Sequence, residues 1–102
     1  MELLGEESSI KSTMESLQRE GKIRVIGISV RSPDDGLVAI EEFGFQCVQV
    51  NFNMLDQRPL DNGLSELCGR RGIGFIARTP LCFGFLTGEY STGHSFDLDD
   101  HR

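Results

Sequence analysis

Apolar residues three and four positions apart predict a helix near the start of the chain. Residues 8–20 contain the following apolar side chains at this spacing: Ile10, Met14 and Leu17. Ser8 or Ser9 provides an N-cap, and Gly21 follows the last turn as a stop signal. We therefore predict a helix that ends at Gly21.

The next part of the chain repeats the order strand, turn, helix. Residues 22–29, KIRVIGIS, form a β-branched run that predicts a strand, and residues 32–44 begin with Ser-Pro, carry acids in the first turn and close on glycine. The same order returns with a strand over 46–53 and a helix over 61–72, and residues 73–78 predict a third strand. Because strands that alternate with helices pair in parallel through right-handed crossovers, the fold class is α/β.

The predicted strand over residues 46–53 alternates between apolar and polar side chains. Its apolar positions are Val48, Val50 and Phe52, and its polar positions are Gln49, Asn51 and Asn53. A parallel strand that is buried on both faces is almost wholly apolar, so one face of this strand is polar. In an open sheet that face meets solvent, whereas in a closed barrel it lies inside, near the carboxyl ends where active sites gather. The pattern leaves both alternatives open.

Length and composition indicate one small globular domain, which we assign to residues 1–102. The chain is 38% hydrophobic and 25% charged, as ordinary soluble domains are. It has no apolar run near the roughly 20 residues of a membrane span, and its first residues lack a signal peptide pattern. We expect a cytoplasmic protein that does not enter membranes.

Charge and cysteine usage argue against nucleic-acid binding and metal binding. The net charge is -6, from 16 acidic and 10 basic residues, without a segregated basic face. Three cysteines, Cys47, Cys68 and Cys82, match no zinc or redox spacing and are expected to be reduced structural thiols. His94 and His101 flank an acidic stretch, which we interpret as a solvated tail because no other ligand has suitable spacing.

Residues 74–90, GFIARTPLCFGFLTGEY, combine a strand with an unusually apolar loop. The apolar run breaks at Thr79-Pro80 and continues through closely spaced Gly, Leu and Phe residues. Connecting loops are usually polar because they face water. We therefore expect this loop to lie against another surface.

Four ordered phrases together resemble the aldo-keto reductase family: EGKIRVIGIS, VQVNFNMLDQR, GIGFIARTPLCFGFLTGEY and FDLDDHR. The resemblance covers residues from about 17 to 102. It implies that the chain corresponds to strands five to seven of a (β/α)8 barrel, that is, about three parallel strands with flanking helices. A complete barrel of this type needs roughly 250 residues.

The family catalyses reversible hydride transfer between NADP(H) and a carbonyl compound, using a tyrosine, a lysine, an aspartate and a histidine. The resemblance implies that all four lie on earlier strands, upstream of Met1. Tyr90, Lys11 and Lys22 stand outside the catalytic contexts, as do the two histidines. We assign no catalytic residue and expect the chain to be inactive alone.

The resemblance does assign part of the nicotinamide site to this chain. Ser29 is similar to the family serine, and Gln49 to the family amide, that hydrogen-bond the carboxamide, for which a hydroxyl and an amide are suitable partners. Val30 replaces the Asn or Arg that often follows the serine. Arg78 stands where many members place an aromatic ring, and its guanidinium can stack or meet a phosphate. The alternatives are a strand-end cap for Ser29, an exposed sheet face for Gln49 and a plain surface arginine for Arg78.

The apolar loop resembles the family loop that runs beside the cofactor pyrophosphate. Thr79 would offer its hydroxyl, while backbone N–H groups near Leu81, Phe83 and Gly84 would face phosphate oxygens, and the apolar side chains would pack on the barrel rim. The alternative is an ordinary connector with an apolar lid. Residues that grip the 2'-phosphate follow strand eight in the family, beyond Arg102, so NADP(H) as the cofactor comes from the resemblance alone.

The expected partners are a nicotinamide cofactor and a small carbonyl substrate, both conditional on completion of the barrel. Three strands alone leave two edges with unpaired backbone groups, and such edges promote self-association. The alternative function is a non-catalytic nucleotide-binding or structural remnant of the family.

Overall fold

Three parallel strands with helices against one face form the framework in a computed structural model that describes residues 8–89, 91–93 and 95–100. The elements in chain order are α1 (Ser8–Arg19), β1 (Gly27–Ser29), α2 (Pro33–Glu41), β2 (Cys47–Asn51), α3 (Arg58–Asp61), α4 (Leu64–Arg71), β3 (Gly74–Arg78) and a 3-10 helix (Cys82–Thr87). The predicted α/β class is confirmed, and the segment is consistent with part of a TIM barrel. None of the helices described is long and apolar enough to cross a membrane.

Strand β2 lies in the middle of the sheet and is parallel to both neighbours. Its register defines rows of residues that lie side by side across three strands. The three rows are Gly27, Cys47 and Gly74; Ile28, Val48 and Phe75; and Ser29, Gln49 and Ile76. Because side chains alternate along a strand, the first and third rows point to one face and the second row points to the other.

Strand β1 is shorter than the predicted run over residues 22–29. The N–H of Ile26 donates to the side-chain oxygen of Gln46 at 3.1 Å, and the backbone N–H of Gln46 donates to the Ile26 carbonyl at 2.9 Å. The Gln18 amide of α1 also donates to Gln46 Oε1, at 2.9 Å, and to the Arg24 carbonyl, at 2.8 Å. The residues before Gly27 are therefore held by side chains that attach α1 to the sheet, and only three residues join the ladder.

The predicted helix over residues 61–72 is present as α4, which begins at Leu64 and ends at Arg71. A four-residue helix, α3, precedes it and contains Pro59 in its first turn. Gly63 then adopts a left-handed conformation with φ 87°, which ends one helix and allows α4 to begin at Leu64. The sequence analysis missed α3 because a segment of four residues is too short to show helical periodicity.

Helix α2 begins where its local sequence predicts. The Ser32 hydroxyl accepts a hydrogen bond from the Asp35 N–H at 3.2 Å, and Pro33 occupies the first turn, where its missing N–H needs no partner. Asp34 and Asp35 place negative charge at the positive end of the helix dipole. These features fix where α2 begins, and its buried residues include Ala39 and Ile40.

The core lies between the sheet and helices α2 and α4. Val48 and Val50 of β2 and Leu64 of α4 are fully buried, and the surrounding core residues are Ile26, Val30, Ala39, Ile40, Phe45, Leu67 and Cys68. A Cβ atom at Gly36 of α2 would lie 2.8 Å from a terminal methyl of Leu64, so glycine there permits close helix packing. The core therefore depends on how Leu64 fits under α2.

We expect Leu64→Ala to lower the free energy of unfolding by roughly 2–5 kcal/mol, because it removes buried methyl groups and leaves a cavity. Leu60→Ala is the matched control, since Leu60 is 54% exposed and its loss should change stability by less than about 0.5 kcal/mol. Urea denaturation followed by circular dichroism measures both. Equal effects of the two substitutions would contradict this packing.

Candidate functional site

The sheet face opposite the core brings Ser29 and Gln49 together. The two residues are register partners on adjacent parallel strands, and Ile76 of β3 completes their row. Ser29 and Ile76 are exposed and Gln49 is half-buried. Together with Gly27, Ile28 and Cys47 they line a hollow of about 200 Å³. The polar side of β2 is therefore the open side of the sheet, and it holds both predicted carboxamide-binding residues.

Two glycines keep the floor of this hollow open. A Cβ atom at Gly27 would lie 3.0 Å from Cys47 Cβ, and one at Gly74 would lie 3.0 Å from Cys47 Sγ. Both distances are shorter than ordinary contacts of a Cβ atom, so Cys47 is the one residue of its row of three that has a side chain. A small molecule can reach the sheet surface beside Gln49 for this reason.

Toward the carboxyl ends of the strands, the next row on the open face consists of Asn51 and Arg78. Arg78 is exposed and takes part in none of the ion pairs formed among the described residues. Arg78 stands two residues after Ile76, at the end of the sheet where β3 leads into the apolar loop. This position suits either stacking or a phosphate contact.

The loop after β3 has an unusual backbone. Thr79, Cys82 and Phe83 have φ of 52°, 50° and 59°, which is the left-handed region that non-glycine residues rarely adopt, and Gly84 has φ 95°. The 3-10 helix is kinked at Phe83 and Gly84 for this reason. Conformations of this kind persist only where the surroundings hold them, and they gather at binding sites.

The loop is partly closed on itself. The Cys82 N–H donates to the Thr79 carbonyl at 3.0 Å, and the N–H groups of Gly84 and Leu86 both donate to the Leu81 carbonyl at 3.1 Å. The Gly84 N–H, which the sequence assigned to a phosphate, is therefore occupied within the loop. The phosphate roles of Thr79, Leu81, Phe83 and Gly84 stay predictions.

The apolar side chains of the loop remain partly open to solvent. Leu81 is 54% exposed and Phe83 47%. Phe85 contacts Phe96 edge to face, with ring centroids 5.7 Å apart. We expected this loop to lie against another surface, and Phe96 of the same chain provides part of that surface.

Asn51 and Asn53 join the site through contacts that the sequence analysis did not assign. The Thr79 hydroxyl donates to Asn51 Oδ1 at 3.1 Å, and the Asn53 amide donates to the Thr79 carbonyl at 3.0 Å. Their only signal in the sequence was the polar alternation of β2. The alternation predicted that both residues share a face with Gln49. It did not predict their contacts with Thr79, which lies 28 positions after Asn51 and 26 positions after Asn53.

Val30 and the two lysines lie outside the open face. The Val30 side chain is buried in the core, so this position contributes packing. Lys11 pairs with Glu15 at 3.6 Å and Lys22 with Glu20 at 3.2 Å. Tyr90, His94, His101 and Arg102 fall outside the described residues.

Two charged side chains in the segment after β2, Asp56 and Arg58, form an ion pair with each other. Arg58 donates two hydrogen bonds to Asp56, at 2.8 and 2.9 Å, and these bonds hold the pKa of the Asp56 carboxyl below its ordinary value although partial burial opposes the shift.

A larger hollow of about 290 Å³ lies beside Arg58 and is also lined by Asp34 and Asp61. Because two carboxylates there would repel a phosphate, we place the candidate site at the open sheet face.

The fold and this face define a parallel α/β segment with a polar site at the carboxyl ends of its strands. The sequence pattern of the Aldo/keto reductase family matches residues 7–102. The chain therefore belongs to the aldo/keto reductase family. No solved structure gives a significant match.

Several relatives are similar to the chain. It is 33% identical over 89 residues to the L-glyceraldehyde 3-phosphate reductase of Escherichia coli, a match that covers 82% of this chain and 26% of that protein. It is 32% identical over 102 residues to the aldo-keto reductase yakc [NADP(+)] of Schizosaccharomyces pombe, covering 94% and 30%. The chloroplastic pyridoxal reductase of Arabidopsis thaliana is 29% identical over 82 residues, covering 74% and 22%. The chain thus spans less than a third of the length of these relatives.

The three cysteines should differ in reactivity with iodoacetamide at mildly alkaline pH. Burial raises the pKa of the Cys68 thiol, and the nearby Cys47 adds to this shift, so the thiolate form of Cys68 is disfavoured and its sulfur has little access to solvent. We expect mass spectrometry to show Cys68 alkylated more slowly than Cys47 and Cys82. In urea the three rates should become similar. If Cys68 reacted as fast as Cys47 in the folded chain, the packing of α4 would have to be revised.

Proposed function

We propose that this chain is the cofactor-binding part of an NADP(H)-dependent aldo-keto reductase that interconverts small carbonyl compounds and alcohols. The observation that supports the proposal is the pairing of Ser29 with Gln49 on the open face, directly below the strained loop that starts at Thr79. Membership of the family and the NADP(+) in the name of the yeast relative support the choice of cofactor.

Ser29 and Gln49 would hold the carboxamide of the nicotinamide. A carboxamide has one acceptor oxygen and two N–H donors, while a serine hydroxyl and a glutamine amide can each donate and accept. Two such contacts from adjacent strands fix the rotation of the ring, and that rotation decides which face is presented to a substrate. When bound, the cofactor supplies the hydride. Cys47 and its flanking glycines form the floor beneath the carboxamide.

The loop after β3 would hold the pyrophosphate. N–H groups of Leu81 and Phe83 and the guanidinium of Arg78 are the donors that we assign to phosphate oxygens. The Gly84 N–H can join them only by leaving the Leu81 carbonyl. The Thr79 hydroxyl has a single proton, which it directs to Asn51 or to the Arg78 carbonyl, so a phosphate oxygen must compete for it.

We do not assign any residue of this chain as the proton donor to the carbonyl oxygen of a substrate. Positioning a cofactor does not replace general acid catalysis, so we propose that the chain binds NADP(H) without reducing a carbonyl compound by itself. A non-catalytic nucleotide-binding or structural remnant is the alternative. Nucleotide binding by the isolated chain would distinguish a formed cofactor site from a structural remnant.

Titration of the chain with NADPH, followed by nicotinamide fluorescence, tests the proposed site. We expect saturable binding, and we expect Gln49→Ala to weaken it roughly threefold to tenfold because one net hydrogen bond is lost. Gln57→Ala is the matched control, since Gln57 is an exposed glutamine whose amide donates to the nearby Met54 carbonyl at 3.2 Å. Its affinity should equal that of the unmodified chain.

Alkylation of Cys47 offers a second measurement that needs no activity. NADPH bound over the hollow should slow the reaction of Cys47 with iodoacetamide and leave the rate at Cys68 unchanged. An absence of saturation at millimolar NADPH, together with unchanged alkylation of Cys47, would reject the cofactor proposal and favour the structural remnant.

We further propose that copies of the 102-residue chain associate through the edges of the sheet. In the described part of the chain, β1 and β3 each pair on one side only. Gly74 and Arg78 use backbone groups to bond the β2 side, so the groups of Phe75 and Ala77 between them face outward. Such unpaired groups are ready to accept another strand.

Ala77→Pro should reduce this association, because proline removes an outward N–H and is tolerated on an edge. Sedimentation over a range of concentrations should show a mass above that of the monomer for the unmodified chain and a lower mass for the variant. Ile76→Pro is the contrast, since its N–H faces β2 and its loss should destabilise the fold instead. A compact monomer at every concentration would disprove association through the edges.

A further inference from the structure

Thr79 has a strained backbone conformation at the junction between β3 and the loop. Its φ of 52° is unfavourable for a β-branched residue, and Pro80 further restricts the residue that precedes it. A conformation of this kind costs free energy and needs contacts that hold it in place. The residue stands where β3 becomes the loop, so its conformation sets the direction in which the loop leaves the sheet.

The carboxyl end of β2 supplies these contacts from three successive residues. Asn51 Oδ1 lies 3.1 Å from the Thr79 hydroxyl, whose single proton can also go to the Arg78 carbonyl at 2.6 Å. The Phe52 N–H donates to the Arg78 carbonyl at 3.2 Å, and the Asn53 amide donates to the Thr79 carbonyl at 3.0 Å. The peptide groups on both sides of Thr79 are therefore bonded to the neighbouring strand.

Asn53 is itself held by a tight turn. Its Oδ1 accepts from the N–H groups of Leu55 and Asp56, at 2.8 and 3.0 Å, and the backbone groups of Asn53 and Asp56 bond each other in both directions at 3.2 Å. The pair of hydrogen bonds from Arg58 fixes Asp56 in turn. The Asn53 amide is thus aimed at Thr79 by its turn, since one end of the side chain is fully used there.

We propose that Asn51 and Asn53 are positioning residues that lock Thr79 in its left-handed conformation and so set the geometry of the loop for a pyrophosphate. The second half of the proposal depends on the proposed cofactor function. Neither asparagine contacts the cofactor in this scheme. Both act through Thr79, whose conformation sets the direction in which the loop leaves the sheet.

Isosteric substitutions separate this role from a general structural one. Asn53→Asp keeps the oxygen that accepts from Leu55 and Asp56 but removes the donor to the Thr79 carbonyl. Asn51→Ala removes the acceptor for the Thr79 hydroxyl, whereas Asn51→Asp restores an acceptor and adds a charge at the same place. Asn62→Asp is the matched control, because Asn62 also accepts from a backbone N–H, that of Leu64, and donates across the fold, to Asp34.

The first readout is the intraresidue cross-peak between the amide proton and the Cα proton of Thr79 in NMR spectra, which is strong when φ is positive. We expect it to weaken in Asn53→Asp and Asn51→Ala and to stay strong in Asn51→Asp and Asn62→Asp. The second readout is the affinity for ADP-ribose, which contains the pyrophosphate and lacks the nicotinamide. Asn53→Asp and Asn51→Ala should weaken it roughly threefold to tenfold, while Gln49→Ala leaves it unchanged.

A strong Thr79 cross-peak in both Asn53→Asp and Asn51→Ala would overturn the proposal. So would a weakened cross-peak with unchanged affinity for ADP-ribose, because the lock would then have no influence on the phosphate. Failure of the unmodified chain to bind either ADP-ribose or NADPH would reject the cofactor function and the second half of the proposal. The cross-peaks would still decide whether the two asparagines hold Thr79.

Discussion

The parallel register of β2 between its two neighbours is the constraint on which the rest of the structure depends. It places Val48 and Val50 toward the helices, where they are fully buried, and thereby directs Gln49 and Asn51 to the opposite face. A shift by one residue would exchange these faces, exposing valines and burying amides without partners. Packing of the core therefore protects the arrangement of the polar face.

The open face and the loop are coupled through the same strand. The row of Ser29, Gln49 and Ile76 is set by backbone pairing, and the Asn51 row directly above it contacts Thr79 at the base of the loop. In our proposal these rows serve two parts of one ligand, the carboxamide and the pyrophosphate. A strand that pairs on both sides holds its side chains more rigidly than a loop does, which suits a cofactor that must be oriented before it can react.

Local signals predicted much of the fold. Ser32 and Pro33 marked the start of α2, and β-branched runs marked the strands, because caps and alternation act over a few residues. The short helix before Gly63 and the short β1 were not predicted. The first depends on a left-handed turn between two short helices, and the second depends on Gln46, whose side chain and backbone both bond Ile26. Contacts of this kind are decided by tertiary packing, which overrides local preference.

For the candidate site, the sequence by itself determined which side chains of β2 share a face, because alternation along a strand is a local property with a period of two. The resemblance to a family then selected Ser29 and Gln49 from the polar positions. Only the tertiary structure decided that these two residues are register partners and that Asn51 and Asn53 hold Thr79 from 28 and 26 positions away. The physical reason is that register and backbone strain are set by contacts between strands that are distant in the chain, and no local pattern records them.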